Sequence, residues 1–256
     1  MRIWLRLVSW FNRKAKNLSI RLVKWTGKSK EFVHPKHFIE TDDHYWFVSF
    51  LDRADTVLDL GCGCGAHSIK AAHAAAFVKG IDHSPRNLEI AKRLAAQNHL
   101  NKVEFVEGSL EEPIQEPADS YSAILALDIL EHLLKRDEFL NETHRLLKRD
   151  SRLFLSVPNS ETSWKKKLKK HNLFFYSDFD HKHEYTEPEI KDILNKHRFE
   201  IIFFEPTVYD TPWVGMIDLV GGISLPFYKR LSEWKRKMGL EQPSEATGFR
   251  IVARKK

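Results

Sequence analysis

Thr56-Val57-Leu58-Asp59-Leu60-Gly61-Cys62-Gly63-Cys64-Gly65 decides how this chain is read. An apolar run of strand length carries one carboxylate, Asp59, and passes directly into glycines at alternate positions. Glycine adopts positive φ readily and has no Cβ, so such a loop turns sharply and brings backbone N–H groups close to a ligand where a helix begins. The segment therefore predicts a nucleotide-type cradle at the carboxyl end of a strand. Taken alone it leaves the nucleotide open, because Gly61, Gly63 and Ala66 also satisfy the dinucleotide fingerprint and Asp82 stands where an acid holds a ribose. Asp59 weighs against a dinucleotide: a carboxylate beside the turn repels a pyrophosphate, whereas a ligand ammonium gives it a partner.

Outward from this loop, short apolar runs alternate with helical patterns, the signature of a parallel sheet with helices on both faces. The fold class is α/β. Strands are predicted at 56–60, 77–81, 103–106, 123–127, 152–157, 199–204 and 249–253, and helices at 66–76, 85–98, 135–148 and 187–196. Two stretches break the alternation, 160–186, which is basic and aromatic, and 207–245. Both are too long for plain connections and are read as lid or substrate insertions.

No apolar run reaches bilayer-spanning length, because Asp128 and Asp218 interrupt the best two. The amino terminus lacks a secretory signal, and only Cys62 and Cys64 occur, in neither a disulfide framework nor a zinc spacing. A cytoplasmic protein is expected. The net charge of +6 is uneven: the first 30 residues carry nine Lys or Arg and no acid, leaving 32 − 35 = −3 for the rest. Within this arm, assigned to 1–33, Trp4, Val8, Phe11, Ala15, Leu18, Leu22 and Trp25 recur at helical spacing, which predicts an amphipathic helix. Its basic, Trp-bearing character fits either an anionic membrane surface, at the inner face of the membrane, or docking on the domain at 34–256. A connector is expected at 34–45, with packing against the core beginning at 46–51.

The run 57–65 resembles the first motif of class I S-adenosylmethionine-dependent methyltransferases. Gly80-Ile81-Asp82, Val106-Glu107-Gly108-Ser109-Leu110, Leu127-Asp128-Ile129-Leu130-Glu131-His132-Leu133, Leu153-Phe154-Leu155-Ser156-Val157-Pro158-Asn159 and His183-Glu184-Tyr185-Thr186-Glu187-Pro188-Glu189 follow in that family's order. Arg149-Asp150-Ser151 departs from the family, whose members usually have a Gly-rich turn there. The resemblance, to the small-molecule or lipid-type members of the methyltransferase type 11/quinone-biosynthesis group, implies a Rossmann-like seven-stranded methyltransferase fold, here with a lid insertion and an N-terminal amphipathic helix. S-adenosylmethionine is the implied cofactor. Asp59, Gly61, Gly63 and Gly65 would then face its amino acid part, Asp82 and neighbouring His83 its ribose, Ser109 and Leu110 its adenine, and Asp128 the end of the fourth strand.

Methyl transfer from a sulfonium mainly requires the acceptor to be held in line, with a base where a hydroxyl must lose its proton. His132 and His183 are the candidates for that base. Asp128, Glu131, His132 and His183 also resemble the acid-acid-His plus distant His set that binds a divalent ion in some relatives, although Glu-His occurs in many metal-free ones. No metal is expected. Asp128-Ile129-Leu130 stands where many base-modifying relatives carry Asn/Asp-Pro-Pro-aromatic, which disfavours nucleobase amines. A hydroxyl of a small-molecule, lipid-linked or glycan acceptor fits better; the alternative is an RNA-directed enzyme whose basic arm grips phosphates.

Overall fold

The computed structural model describes residues 1–28, 35 and 45–256. They fall into two compact units, one of Tyr45–Pro158, Asp178–Glu205 and Phe249–Lys256, the other of Met1–His44, Asn159–Ser177 and Pro206–Gly248. The connector expected at 34–45 and the boundary between 33 and 34 lie, apart from Pro35 and Tyr45, outside the described residues.

Among the described residues the helices are α1 (Arg2–Trp25), α2 (Ala66–Ala74), α3 (Pro85–Gln97), α4 (Arg136–Leu146), α5 (Ser163–Lys170), α6 (Glu187–Lys196), α7 (Val214–Ile223) and α8 (Leu225–Glu241). The strands are β1 (Thr56–Leu60), β2 (Phe77–Asp82), β3 (Val103–Glu107), β4 (Tyr121–Leu127), β5 (Leu147–Pro158), β6 (Phe199–Pro206) and β7 (Gly248–Lys255). They form one seven-stranded sheet in the order β3-β2-β1-β4-β5-β7-β6. Parallel pairing sets Asp59 opposite Gly80 of β2 and Leu125 of β4. The strand order reverses between β1 and β4, and that switch point is where sheets of this kind open a ligand crevice.

Alternation along the strands feeds two cores. Leu58, Leu60, Ile124, Ala126, Leu153 and Leu155 face Phe139 and Leu140 of α4 and Ile190 and Leu194 of α6. Val57, Ala123, Leu125 and Phe154 face Ala71 and Ala72 of α2 and Phe47. Phe47 lies in the short 3-10 helix Trp46–Phe50, where packing against the core was expected to begin. Burial on both faces explains the near-continuous apolar character of β1. Local signals set the helix starts: Ser84 caps α3 ahead of Pro85, and Thr186 with Glu189 forms a capping box on α6.

The helix predicted to run to 148 ends at Leu146, and β5 starts at Leu147 rather than 152. Tyr121 pairs with Leu147 through a register irregularity, and Asp150 takes φ +61, in the left-handed region that Asp enters more readily than most residues.

The second unit holds the arm with parts of both insertions. Here α1 packs on α7 through part of the predicted stripe: Ala15 is buried and Val8, Phe11 and Leu22 are half-buried, but its other members are not covered. Leu5, Ala15, Ser19 and Val23 are buried, while Trp4, Leu18 and Trp25 are exposed. The partner decides this. A Cβ on Gly215 would stand 2.7 Å from Asn12 Oδ1 and 2.9 Å from Ala15 Cβ, and one on Gly222 would stand 2.7 Å from Leu22 Cβ. Such close backbones accept Ala and Ser but not indole. Asn12 clamps the contact, its Nδ2 donating to Pro212 O at 3.0 Å and its Oδ1 accepting from Gly215 N at 3.1 Å. Within the lysine run, Lys165 is buried and donates to Asn159 O and Ser177 Oγ, while Lys166 and Lys169 pair with Glu161. Among the described residues no helix is long and apolar enough to cross a membrane.

Candidate functional site

The loop between β1 and α2 uses its three glycines differently, although all take positive φ, +73 at Gly61, +52 at Gly63 and +82 at Gly65. A Cβ on Gly61 would strike the side chain of Ile129 at 2.2 Å, and Leu110 would lie 3.7 Å away. One on Gly65 would lie 2.8 Å from Ala91 Cβ and 2.9 Å from Phe105 Cζ. These two let the loop close on its own neighbours. A Cβ on Gly63 meets nothing within 4 Å, so that peptide borders open space at the head of α2, where a ligand can approach.

Two carboxylates flank the loop. Asp82 Oδ2 accepts from Gly63 N at 2.9 Å, and its Oδ1 accepts from Ser84 N at 2.9 Å and from Asn87 Nδ2 at 3.5 Å. Held by the loop and by the start of α3, this carboxylate keeps lone pairs for ligand hydroxyls. His83 beside it is exposed, with Nδ1 3.9 Å from Asp82 Oδ1. Asp59 is buried, and its Oδ2 accepts from Ser68 Oγ at 2.5 Å. Burial pushes the Asp59 carboxyl up to about 6; the Asp82 charge adds to this, and the Ser68 hydrogen bond opposes it. A cation arriving beside Asp59 would relieve that cost. Across the crevice, Ser109 Oγ accepts from Glu111 N at 3.2 Å.

At the end of β4 the chain bends at Asp128, φ +56, whose Oδ1 accepts from Ser156 Oγ at 2.7 Å. A short 3-10 turn, Leu130–His132, follows. The Glu131 carbonyl accepts from Lys182 N at 2.7 Å and His183 N at 3.2 Å, which draws a distant segment onto this turn. As a result His181 lies beside His132, ring centroids 4.8 Å apart, with its Nδ1 2.8 Å from Glu184 Oε1. Burial first, and the neighbouring His181 next, hold His132 below the ordinary imidazole value.

His183, the other candidate base read from sequence, has its Nε2 2.6 Å from Glu189 Oε1, on the capping residue of α6. The four-residue ligand set read from sequence is not gathered. Among the described residues it is Glu131, His132 and His181 whose ligand atoms lie within 4.8 Å of one another. Asp128 is turned to Ser156, and His183 is held by Glu189. Neither His181 nor Ser68 was singled out in the sequence. The His181-Lys182-His183 spacing carries no signal that chooses between its two imidazoles, and Ser68 matters only because α2 folds back over Asp59. Another residue reading missed is His67, half-buried against Tyr45 and Phe47 one position into α2, where desolvation lowers its pKa.

Residues 51–200, more than half of the chain, match the methyltransferase domain family. The chain belongs to that family. It is a class I methyltransferase domain, whose cofactor is S-adenosylmethionine. The open cradle at Gly63, the anchored Asp82 and the ion-starved Asp59 fit a ligand with ribose hydroxyls and a free ammonium. The ubiquinone biosynthesis O-methyltransferase of Neisseria meningitidis serogroup C (strain 053442) is 32% identical over 143 residues, covering 53% of this chain and 58% of that enzyme. Its counterpart in Pelagibacter ubique (strain HTCC1062) is 35% identical over 103 residues, covering 40% and 42%. The chain thus spans about half the length of the curated relatives it matches. A solved S-adenosylmethionine-dependent methyltransferase from Methanosarcina mazei has a similar fold, with TM-score 0.57, 22% identity and coverage of 81% of this chain and 95% of that one.

Proposed function

We propose that this chain transfers the methyl group of S-adenosylmethionine to a hydroxyl oxygen of a small, lipid-linked acceptor, with His132 as proton acceptor. The observation that carries this reading is the His132–His181 pair at the carboxyl end of β4, one strand from the glycine cradle. Cofactor contacts are assigned to Asp59, Gly61, Gly63, Gly65, Asp82, His83, Ser109, Leu110 and Asp128. The bound cofactor supplies an electrophilic methyl carbon, so no covalent nucleophile of the protein is required.

Burial first, and its neighbour His181 next, favour the neutral ring of His132, which has a nitrogen able to take a proton. That nitrogen would take the O–H proton as the methyl carbon passes from the sulfonium sulfur, left as a neutral thioether, to the acceptor oxygen. His181, oriented by Glu184, positions the ring and disfavours its early protonation. Oxygen as the acceptor atom rests on the likeness to O-methyltransferases and on Asp128-Ile129-Leu130 at the β4 end. A lipid-linked acceptor rests on the same likeness and on the basic, Trp-rich α1. Acceptor selection is assigned to the insertions at 160–186 and 207–245.

The test supplies S-adenosylmethionine with a labelled methyl group to the full chain, together with a hydroxylated polyprenyl phenol in micelles, the tail-less phenol, or RNA. Alkali-stable label in the polyprenyl ether, falling about a hundredfold in kcat for His132→Gln while S-adenosylhomocysteine binding holds, is the expected result. Label on RNA, or on an amine, would replace the acceptor assignment.

A further inference from the structure

Docking on α7 uses up one face of α1 and leaves another face outward. Ile3, Leu7, Trp10, Leu18 and Trp25 are each between 41% and 76% exposed, and their spacings of four, three, eight and seven place them on one stripe. On α7, Trp213, Met216 and Ile223 form a second stripe, between 50% and 65% exposed. The two helices run in the same direction, since Asn12 meets Gly215 and Leu22 meets Gly222. At roughly 100° per residue, the α1 stripe is rotated from its contact line by about a third of a turn, and the α7 stripe by a similar angle in the opposite sense. For parallel helices facing each other, opposite rotations bring both stripes to the same side. They form one amphipathic surface on which Trp10, Trp25 and Trp213 are interleaved with the exposed Lys14 and Arg21.

Charge names what this surface meets. The α1 segment contains Arg2, Arg6, Arg13, Lys14, Lys16, Arg21 and Lys24 and no acid, and the single acid of α7, Asp218, is buried. By the same spacing Lys14 falls within the α1 stripe between Trp10 and Leu18, and Arg21 between Leu18 and Trp25; with Asn17 and Leu18 they border a depression. Apolar side chains rich in Trp, interleaved with long cationic side chains whose charged ends can reach outward, match the boundary of a bilayer with anionic headgroups. A protein partner of matching shape would gain nothing from an acid-free surface unless it were acidic, and a second copy would set basic surface against basic surface.

We infer that the paired α1–α7 surface is a docking face for an anionic lipid bilayer, on which the molecule lies without spanning it. The inference deepens the lipid-linked acceptor reading, yet it rests on a separate surface. Vesicle binding and methyl transfer can therefore fail independently.

The experiment is flotation of the full chain with vesicles of phosphatidylcholine alone or with one-third phosphatidylglycerol, while tryptophan emission is recorded. Binding to the anionic vesicles with a blue shift is expected, lost at high salt. Removing one cation, by Lys14→Gln or Arg21→Gln, should weaken binding about fivefold each. Trp10→Ser with Trp25→Ser should weaken it about tenfold or more. Because all four positions are exposed, far-UV dichroism and S-adenosylhomocysteine affinity should stay unchanged, which separates lost docking from lost folding. No association with anionic vesicles at low salt would overturn the proposal. So would a Trp10→Ser-sensitive dimer seen by light scattering, or RNA binding that competes the vesicles away.

Discussion

Asp82 ties three parts of the site together, since the same carboxylate holds the Gly63 peptide, the start of α3 and, in the proposed reading, the ribose. Asp82→Ala leaves Gly63 N–H without its acceptor and removes the hydroxyl partner. Titration calorimetry should show S-adenosylhomocysteine binding weakened by about thirtyfold or more. Asp59 makes a different kind of prediction. Its folded value of about 6 lies above its ordinary one, so between about pH 4 and 6 the folded protein holds a proton that the unfolded chain has released. Its contribution therefore lowers stability as pH rises through that window and is level above it. A ligand ammonium favours the ionised form, so binding at pH 6 should release a fraction of a proton. Calorimetry in two buffers of unequal ionisation enthalpy measures that release, and zero release would place the ammonium away from Asp59. The two histidines of His181-Lys182-His183 separate by their partners: His181→Gln should lower kcat through His132 and shift the acid limb of its pH profile. His183→Gln should chiefly loosen the α6 cap, with kcat changed less than about twofold.

At the level of elements, the loop between β1 and α2 binds only if it closes, and two of its glycines test closure and binding apart. Gly65→Ala puts a methyl group 2.8 Å from Ala91 Cβ at φ +82. Urea unfolding should show a loss of about 2 kcal/mol or more, combining backbone strain with overpacking of α3. Gly63→Ala also carries positive φ but projects into open space. Its stability cost should be about 1 kcal/mol, while its S-adenosylhomocysteine affinity falls by more than that of Gly65→Ala. The reverse ranking in affinity would mean that the cradle faces elsewhere. Helix starts were legible in sequence because Ser84-Pro85 and Thr186-Glu187-Pro188-Glu189 satisfy their own backbone donors within one turn. The end of α4 was not, because the Leu147 pairing with Tyr121 that stops it is made across the sheet.

In the whole molecule, every candidate cofactor residue belongs to the unit that contains the sheet. S-adenosylhomocysteine at a hundred times its dissociation constant should stabilise that unit by about 2.7 kcal/mol, with no effect from NAD. Limited proteolysis with and without the ligand should show protection in Tyr45–Pro158 above all, and a response to NAD instead would return the cradle to the dinucleotide class. What the sequence determined unaided was the α/β alternation, the glycine cradle, Asp59 and Asp82, because strand period, turn chemistry and the order of motifs are written within short stretches of chain. Tertiary structure alone decided that His181 rather than His183 meets His132, since two backbone N–H bonds to the Glu131 carbonyl bring residues about fifty positions away to β4. It also decided which face of α1 is covered. Periodicity finds apolar stripes, but only the glycines of α7 determine that Ala15 and Ser19 are buried while the indoles face outward.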